Sequence, residues 1–292
     1  MPPITSSKAI LYVVATPIGN LSDMVPRAIT VLQSVDAIAV EDSRHSGKLL
    51  QNFSISKPLI PYHDHNERDA AERILHLLQQ GKRVALISDA GTPAIADPGY
   101  RLVRLAHQHG VRVESVPGPC AAITALAGSG LPSDRFLFAG FLPAKSQARQ
   151  TALKKLEHEH ATLIFYEAPH RLADTVRDMH AVLGGAREVC LARELTKHFE
   201  TLWLTTLAEL ETGIDEKRVE ERGEMVLIIA GKTEEAVDDQ EADRILHILL
   251  ADLPLKQAAA LAAQITGLGK RELYQRALTL KSSTEAPDNE TL

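Results

Sequence analysis

Groups able to give or take a proton gather in three short stretches of the 292-residue chain. EDSRH supplies Glu41, Asp42, Arg44 and His45, HDHNE supplies His63, Asp64, His65 and Glu67, and ARELTK supplies Arg193, Glu194 and Lys197. Carboxylates, imidazoles and amines act as general acids and bases when their surroundings set the pKa near the working pH. A desolvated Lys197 with a lowered pKa, or a neutral His63, would each accept a proton. EDSRH reads also as a helix cap with its own salt bridge. The His-Asp-His spacing suggests metal ligands, but alternate residues of an extended segment point to opposite faces and no third or fourth ligand stands nearby, so no metal is expected.

A second set of residues has the chemistry of a ligand cradle. RVALISDAGTPAIADPG (83 to 99) is an apolar run that breaks into small and turn-forming residues. Such a loop lets the backbone approach a ligand, since Gly91 needs no Cβ clearance and Pro93 fixes its own φ. Three other apolar runs break in the same way, into ATPIGNLSD, EDSRHSG and VPGPCAAITAL. In open α/β sheets ligands sit outside the carboxyl ends of the strands, so four such loops in succession point to a binding site. The usual nucleotide signatures are missing. There is no GxxxxGK, and the G-x-G at Gly128 to Gly130 follows a helical pattern instead of a strand.

The elements that must hold these loops are legible as alternating patterns. Eight short apolar runs, at 10 to 15, 36 to 41, 83 to 88, 111 to 116, 136 to 141, 162 to 167, 188 to 193 and 224 to 230, read as strands, several covered on both faces. Helical patterns lie between most of them, including one with Pro26 in its first turn and Asp23 as its N-cap. The fold class is α/β with two lobes, 10 to 127 and 128 to 232, hinged at GSGLPSD and enclosing a cleft. An acidic linker is expected over 233 to 243, then a helix-turn-helix-like unit over 244 to 281 whose helices meet at a GLG turn. Residues 1 to 9 and 282 to 292 read as disordered tails.

Composition narrows the function classes. A net charge of −6 argues against a uniformly basic nucleic-acid coat while leaving room for a basic patch. No apolar run approaches a membrane helix, and the first residues lack a signal-peptide core, so a cytoplasmic protein is expected. Two cysteines, Cys120 and Cys190, make neither a disulfide framework nor a metal quartet.

The ordered set TPIGNLSD, AVEDSRHSG, YHDHNE, LISDAGTPAIADPG, PGPCAAITAL, GFLPAK, FYEAPHR, LARELTK and GEMVLII resembles the ribosomal RNA small subunit methyltransferase I family of the tetrapyrrole methylase superfamily. The likeness runs from about residue 10 to 231, and the helical tail is similar to that family's C-terminal extension. The resemblance implies a homodimer that binds S-adenosylmethionine between two α/β lobes and 2′-O-methylates a cytidine in the decoding region of 16S ribosomal RNA. The implied donor site falls on Pro17 and Gly19, on Ser88, Asp89, Ala90, Gly91, Thr92 and Pro93, and on Ala121, Ala122, Ile123 and Thr124. From the second lobe it adds Tyr166, Ala168, Ala192, Gly223, Glu224 and Met225. Asp89 offers a carboxylate to the sulfonium, and Ile123, Leu126 and Met225 offer apolar walls or plain core packing. Methyl transfer to a ribose oxygen needs alignment and a proton acceptor, for which Glu41, Asp42, Arg44, His63, Glu194 and Lys197 are the candidates.

RNA requires local positive charge. PAKSQARQTALKK gathers Lys145, Arg149, Lys154 and Lys155, and the tail adds Lys270 and Arg271. Arg171 contacts phosphate or bonds a loop carbonyl. With 4% aromatics, shape and phosphate recognition are expected over base stacking. Two rivals are a methyltransferase acting on a tetrapyrrole or other small molecule and a non-catalytic RNA-binding protein that keeps only the fold.

Overall fold

A computed structural model describes residues 9–233 and 239–284 of the chain. Most of the expected tails and the middle of the expected linker fall outside the described residues; where the tails are described they are ordered, Ala9 being buried and residues 282–284 continuing the last helix. Met1–Lys232 and Thr233–Leu292 are separate compact units.

The first unit begins with a parallel sheet. Its strands are β1 (Ile10–Val14), β2 (Ala37–Val40), β3 (Leu59–Pro61), β4 (Arg83–Leu86) and β5 (Arg112–Val116), in the order β3-β2-β4-β1-β5. Side chains alternate between two cores. Ile38, Val40, Ala85 and Ile87 pack with Ala28 and Leu32 of α1 (Pro26–Ser34) and Leu50 of α2 (Ser43–Asn52). Ala39, Val84 and Leu86 face the other way, onto α3 (Glu67–Gln79) and α4 (Tyr100–Gln108). Burial on both faces explains why these strands read as unbroken apolar runs. Because the connections leaving β1 and β4 run over opposite faces, a crevice opens between the carboxyl ends of these neighbouring strands.

A second, mostly antiparallel sheet follows. It contains β6 (Phe136–Phe141), β7 (Thr162–Glu167), β8 (Glu188–Arg193), β9 (Thr201–Thr206) and β10 (Met225–Ile229), in the order β6-β7-β10-β8-β9. One face packs on α7 (Leu172–Leu183) and α8 (Leu207–Asp215) through Val176, Met179 and Leu210. The other is covered by α5 (Ala121–Ser129), whose Ala122, Ala125 and Leu126 share a core with Ile164, Cys190, Val226 and Ile228. By packing, α5 therefore belongs with the second sheet, although the hinge read from sequence, 128 to 134, begins only at its last two residues. Ile18, from the loop after β1, enters that same core and joins the two sheets.

Two strands escape the sequence reading. β3 is three residues long and ends in proline, and β9 (TLWLTT) alternates Thr with apolar residues as an edge strand does. Asp23 is not the cap of α1. That helix has Val25 at the N-cap with no side-chain bond, Pro26 at its start as expected, and the Asp23 carboxylate instead accepts the Thr196 hydroxyl.

The described residues of the second unit form three helices, α9 (Asp239–Asp252), α10 (Leu255–Thr266) and α11 (Lys270–Thr284). Helix α9 starts inside the expected acidic linker because Ala242 and Leu246 form an apolar stripe that packs with Ala262, Leu273 and Ala277.

Arg149, read as an RNA contact, is a structural residue. On α6 (Ser146–Lys154) it is only 3% exposed, with Nε 2.7 Å from Asp178 Oδ2 on α7 and Nη1 donating to Ala144 O at 3.2 Å. Burial pushes the Asp178 carboxyl up, but donors from Gln150, Arg149 and Ser146 outweigh it and hold the pKa below the usual aspartate range. Removing one partner of such a pair leaves a buried charge uncompensated. Arg149→Ala is expected to destabilise the first unit by about 3–5 kcal/mol in urea unfolding, and a loss below about 1 kcal/mol would refute the structural assignment.

Candidate functional site

The loop after β4 is fixed by its neighbour. Thr16 N donates to Gly91 O at 2.8 Å and Gly91 N returns to Thr16 O at 3.1 Å, while the buried Thr16 hydroxyl reaches Ser88 O at 3.2 Å. Gly91 has φ +83°, a conformation open to glycine at little cost. Thr92 Oγ1 donates to Pro119 O at 2.9 Å, which ties in the loop that starts α5. Six described non-glycine residues have positive φ, and four of them, Ala94, Ala96, Glu194 and Thr196, lie in two loops beside one cavity. Strain of this kind persists where a site over-determines the backbone.

That cavity, about 370 Å³, opens between the two sheets of the first unit. The volume suits a compact small molecule. Of the eighteen positions expected to hold a donor, Ala90, Gly91, Thr92, Ala121, Tyr166, Ala168, Gly223, Glu224 and Met225 line it. Tyr166 is anchored by its hydroxyl, which accepts Ala122 N at 3.1 Å. The wall also includes residues that the sequence reading missed: Ile18, Ile95, Asp97, Cys120, Phe141, Glu167, Leu195 and Val226 among them. Asp97 and Ile95 stand in the quoted loop itself, so their positions were in view, but nothing in the spacing shows which way the loop folds.

The other expected positions do not reach this wall. Asp89 turns toward the neighbouring loop, where its Oδ1 accepts Asp42 N at 3.2 Å and Ser46 Oγ at 3.4 Å. Ile123 is 48% exposed on α5, Ala192 is buried in the core beneath the site, and Leu126 is core packing. Thr124 borders a separate groove with Asp23 and Thr196. Pro93 and Ala122 are buried, and Ser88 bonds within its loop to Ala90 O and Gly91 O. Pro17 lies between the Thr16 bridge and the bend at Ile18 and Gly19, and Gly19 gives room to the Lys197 stem.

The acid-base candidates divide. Asp42 caps α2, accepting Arg44 N at 2.8 Å and the Arg44 guanidinium at 2.9 Å, and these bonds hold its carboxyl well below the usual range. Asp42 and Arg44 thus form the cap and salt bridge that the sequence allowed. Glu67 is likewise structural, bonded by Tyr62 and Arg101. Glu41 is half-buried, and burial, then Asp89 and Asp64, push its pKa up. His63 and His65 do not point apart, because residues 63 to 66 form a turn in which their rings lie edge to face at 6.0 Å. His63 Nδ1 is buried without a partner.

Lys197 corrects the expectation of a lowered pKa. Burial lowers it, but Nζ lies 2.9 Å from Glu194 Oε1 and 3.0 Å from Glu224 Oε2, and these bonds raise it above the ordinary value. Glu194 is lowered in turn by Lys197 and by Glu224 N, which it accepts at 2.9 Å. The trio is a clamp between the loop after β8 and the start of β10. Arg193 pairs with Glu220 at 3.3 Å.

Of the basic residues, Lys145, Lys154, Lys155, Lys270 and Arg271 are exposed. Arg171 takes the carbonyl alternative: Nη2 donates to Leu142 O at 2.6 Å and Nε lies 3.2 Å from Glu167.

Comparison with known proteins adds two family matches. Residues 10–211 match the model of tetrapyrrole (corrin/porphyrin) methylases and residues 236–281 match that of the RsmI C-terminal HTH domain. The chain is 55% identical over 274 residues to ribosomal RNA small subunit methyltransferase I of Escherichia coli O157:H7, covering 94% of this chain and 96% of that protein. It is 54% identical over 276 residues to the protein of the same name from Pseudomonas aeruginosa, covering 93% and 98%. Among solved structures, uroporphyrin-III-C-methyltransferase from Thermus thermophilus aligns with a TM-score of 0.54 at 20% identity, over 76% of this chain and 94% of that one. Diphthine synthase aligns with a TM-score of 0.57 at 13% identity, over 77% and 90%. These two likenesses speak to the fold.

The clamp has a testable weak point at Gly223. Its φ is +85°, and a Cβ there would meet the Glu194 carboxylate. Gly223→Ala is expected to destabilise the protein by about 1–2 kcal/mol from the backbone alone, with a further loss as Glu194 is displaced. Gly110→Ala, at φ +68° with nothing nearby, carries only the first cost. Equal melting temperatures for the two variants would refute the packing constraint.

Proposed function

Since the chain belongs to the tetrapyrrole methylase family, and within it to the ribosomal RNA small subunit methyltransferase I group, we propose that it transfers a methyl group from S-adenosylmethionine to a cytidine 2′-hydroxyl in the decoding region of 16S ribosomal RNA. The observation that carries this reading is the cavity between the two sheets, half of whose expected donor positions lie on one continuous wall. The bound donor supplies an electrophilic methyl group on a sulfonium.

The residues present fit that molecule. Helix α5 begins at the cavity; its Ala122 amide is taken by the Tyr166 hydroxyl, and the positive end of the helix dipole suits the donor carboxylate. Ile18, Leu195, Met225 and Val226 form an apolar floor for adenine. Glu41, Asp64 and Asp89 gather negative charge behind the wall at the strand ends of the first sheet, where a sulfonium cation is favoured. Proton transfer and alignment are tasks for side chains. The reading needs no metal, since the leaving group is already activated by its positive charge.

RNA would be held by exposed Lys145, Lys154 and Lys155 on the first unit and by Lys270 and Arg271 at the start of α11. This basic equipment favours RNA over a tetrapyrrole as substrate. The same reading makes the protein a cytoplasmic homodimer.

Unmodified small ribosomal subunits incubated with methyl-labelled donor should yield labelled 2′-O-methylcytidine after nuclease digestion and mass spectrometry. Label on a base would move the acceptor atom, and absence of label from subunits at every assembly stage would reject the reading. Replacing both Lys270 and Arg271 with alanine should weaken RNA binding across sequences and reduce the salt slope of log K by about 2. An unchanged slope would remove them from the interface.

A further inference from the structure

Three carboxylates line the cavity, and two are committed. Glu167 is 3% exposed and fully engaged, its Oε1 accepting Ala168 N at 2.8 Å and lying beside Arg171, its Oε2 accepting Thr175 Oγ1 at 2.6 Å. Glu224 is drawn to Lys197. Asp97 is different. No cation among the described residues pairs with it, and the one hydroxyl close enough to lower its pKa, that of Ser88, is shared with the carbonyls of Ala90 and Gly91. The loop holds it firmly, between Ala96 at φ +66° and Pro98, directly ahead of α4. A half-buried carboxylate on the wall of a cavity, left without a counter-ion, costs stability. Such a group is kept for what it does.

We propose that Asp97 is the general base of the methyl transfer. Its carboxylate takes the proton of the ribose 2′-hydroxyl as that oxygen bonds to the methyl carbon. The carbon–sulfur bond breaks in the same step, its electron pair returns to sulfur, and the sulfonium becomes a neutral thioether. The proton then leaves Asp97 for water. This assignment rests on the functional reading above and deepens it.

The surroundings suit the task. Burial pushes the Asp97 pKa up, the Ser88 hydrogen bond opposes this, and Glu41, Asp89 and Asp64 push it further, to about 6. Glu41 stands at the end of β2, Asp64 follows β3 and Asp89 follows β4, so three strand ends direct negative charge at one group. From the second sheet it faces the Tyr166 hydroxyl, whose pKa is itself raised by burial, together with Cys120 and the Glu167–Arg171 and Glu224–Lys197 pairs. A base poised just below neutrality is ionised at working pH yet retains basicity. The other candidates lack this combination. Asp42 and Glu194 are held below the usual carboxylate range by their partners, Lys197 is held above its ordinary value, and neither Glu41 nor His63 lines the cavity.

The experiment pairs donor binding with turnover. Wild type, Asp97→Asn and Asp97→Glu are titrated with S-adenosylmethionine by calorimetry and assayed on unmodified small subunits from pH 5 to 9, reading kcat and kcat/KM. We expect Asp97→Asn to bind the donor within about threefold of wild type while kcat falls about a hundredfold or more. Wild-type kcat/KM should fall as pH drops through about 6, where Asp97 becomes protonated, a limb that Asp97→Glu retains and Asp97→Asn loses. Loss of donor affinity in proportion to activity would make Asp97 a donor contact and overturn the proposal. A kcat within about threefold of wild type would overturn it as well. A wild type that binds donor but labels no RNA would instead bring down the functional reading on which the proposal stands.

Discussion

Two hydrogen bonds between Thr16 and Gly91 hold the site in place. Strands β1 and β4 are neighbours in a parallel sheet, and beyond their carboxyl ends each chain must leave in a different direction. Unpaired, the loops that follow would expose amides and carbonyls and sample many conformations. The Thr16–Gly91 bridge extends the sheet by one antiparallel step, and the buried Thr16 hydroxyl seals it onto Ser88 O. Everything that faces the cavity from the first sheet, from Ala90 to Asp97, hangs from that point. Ile18, two residues past Thr16, carries the constraint into the core under the second sheet.

The opposite wall is fixed by charge. Glu194, Lys197 and Glu224 tie the loop after β8 to the start of β10, across glycines whose missing side chains make room for the contact. Because one lysine bridges both carboxylates, the charge on this wall is tied up in ion pairs. The first sheet does the reverse. Its strand ends bring Glu41, Asp64, Asp89 and Asp97 within electrostatic reach of one another, with His63 the one positive influence on Glu41. The resulting field favours a cationic donor and raises the basicity of the carboxylate on the cavity wall. Donor attraction and proton acceptance thus share one physical origin.

Fold class and lobe order were legible because buried parallel strands are written as apolar runs and their loops as small residues, and because the motifs have a specific order. The positions that reach the cavity were legible in part. Ala90 to Thr92 follow from the loop's composition, but Asp89 and Asp97 are indistinguishable until the positive φ values at Ala94 and Ala96 reveal how the loop doubles back. Arg149 misled because a basic residue beside lysines reads as surface, while its partner Asp178 lies 29 residues away on another helix. Lys197 misled for a similar reason, since Glu224 approaches it only through the pairing of β8 with β10. Edge strand β9 and the early start of α9 were hidden by polar residues mixed into their apolar stripes.

The account depends on one cavity being shaped jointly by both sheets of the first unit and closed on the methyl donor. Hydrogen exchange with and without saturating S-adenosylhomocysteine tests this directly. Exchange should slow together in residues 89 to 97, 120 to 123, 166 to 169 and 223 to 226, although they lie far apart in sequence. Protection confined to one sheet, or appearing only outside these segments while the ligand is bound, would contradict the account.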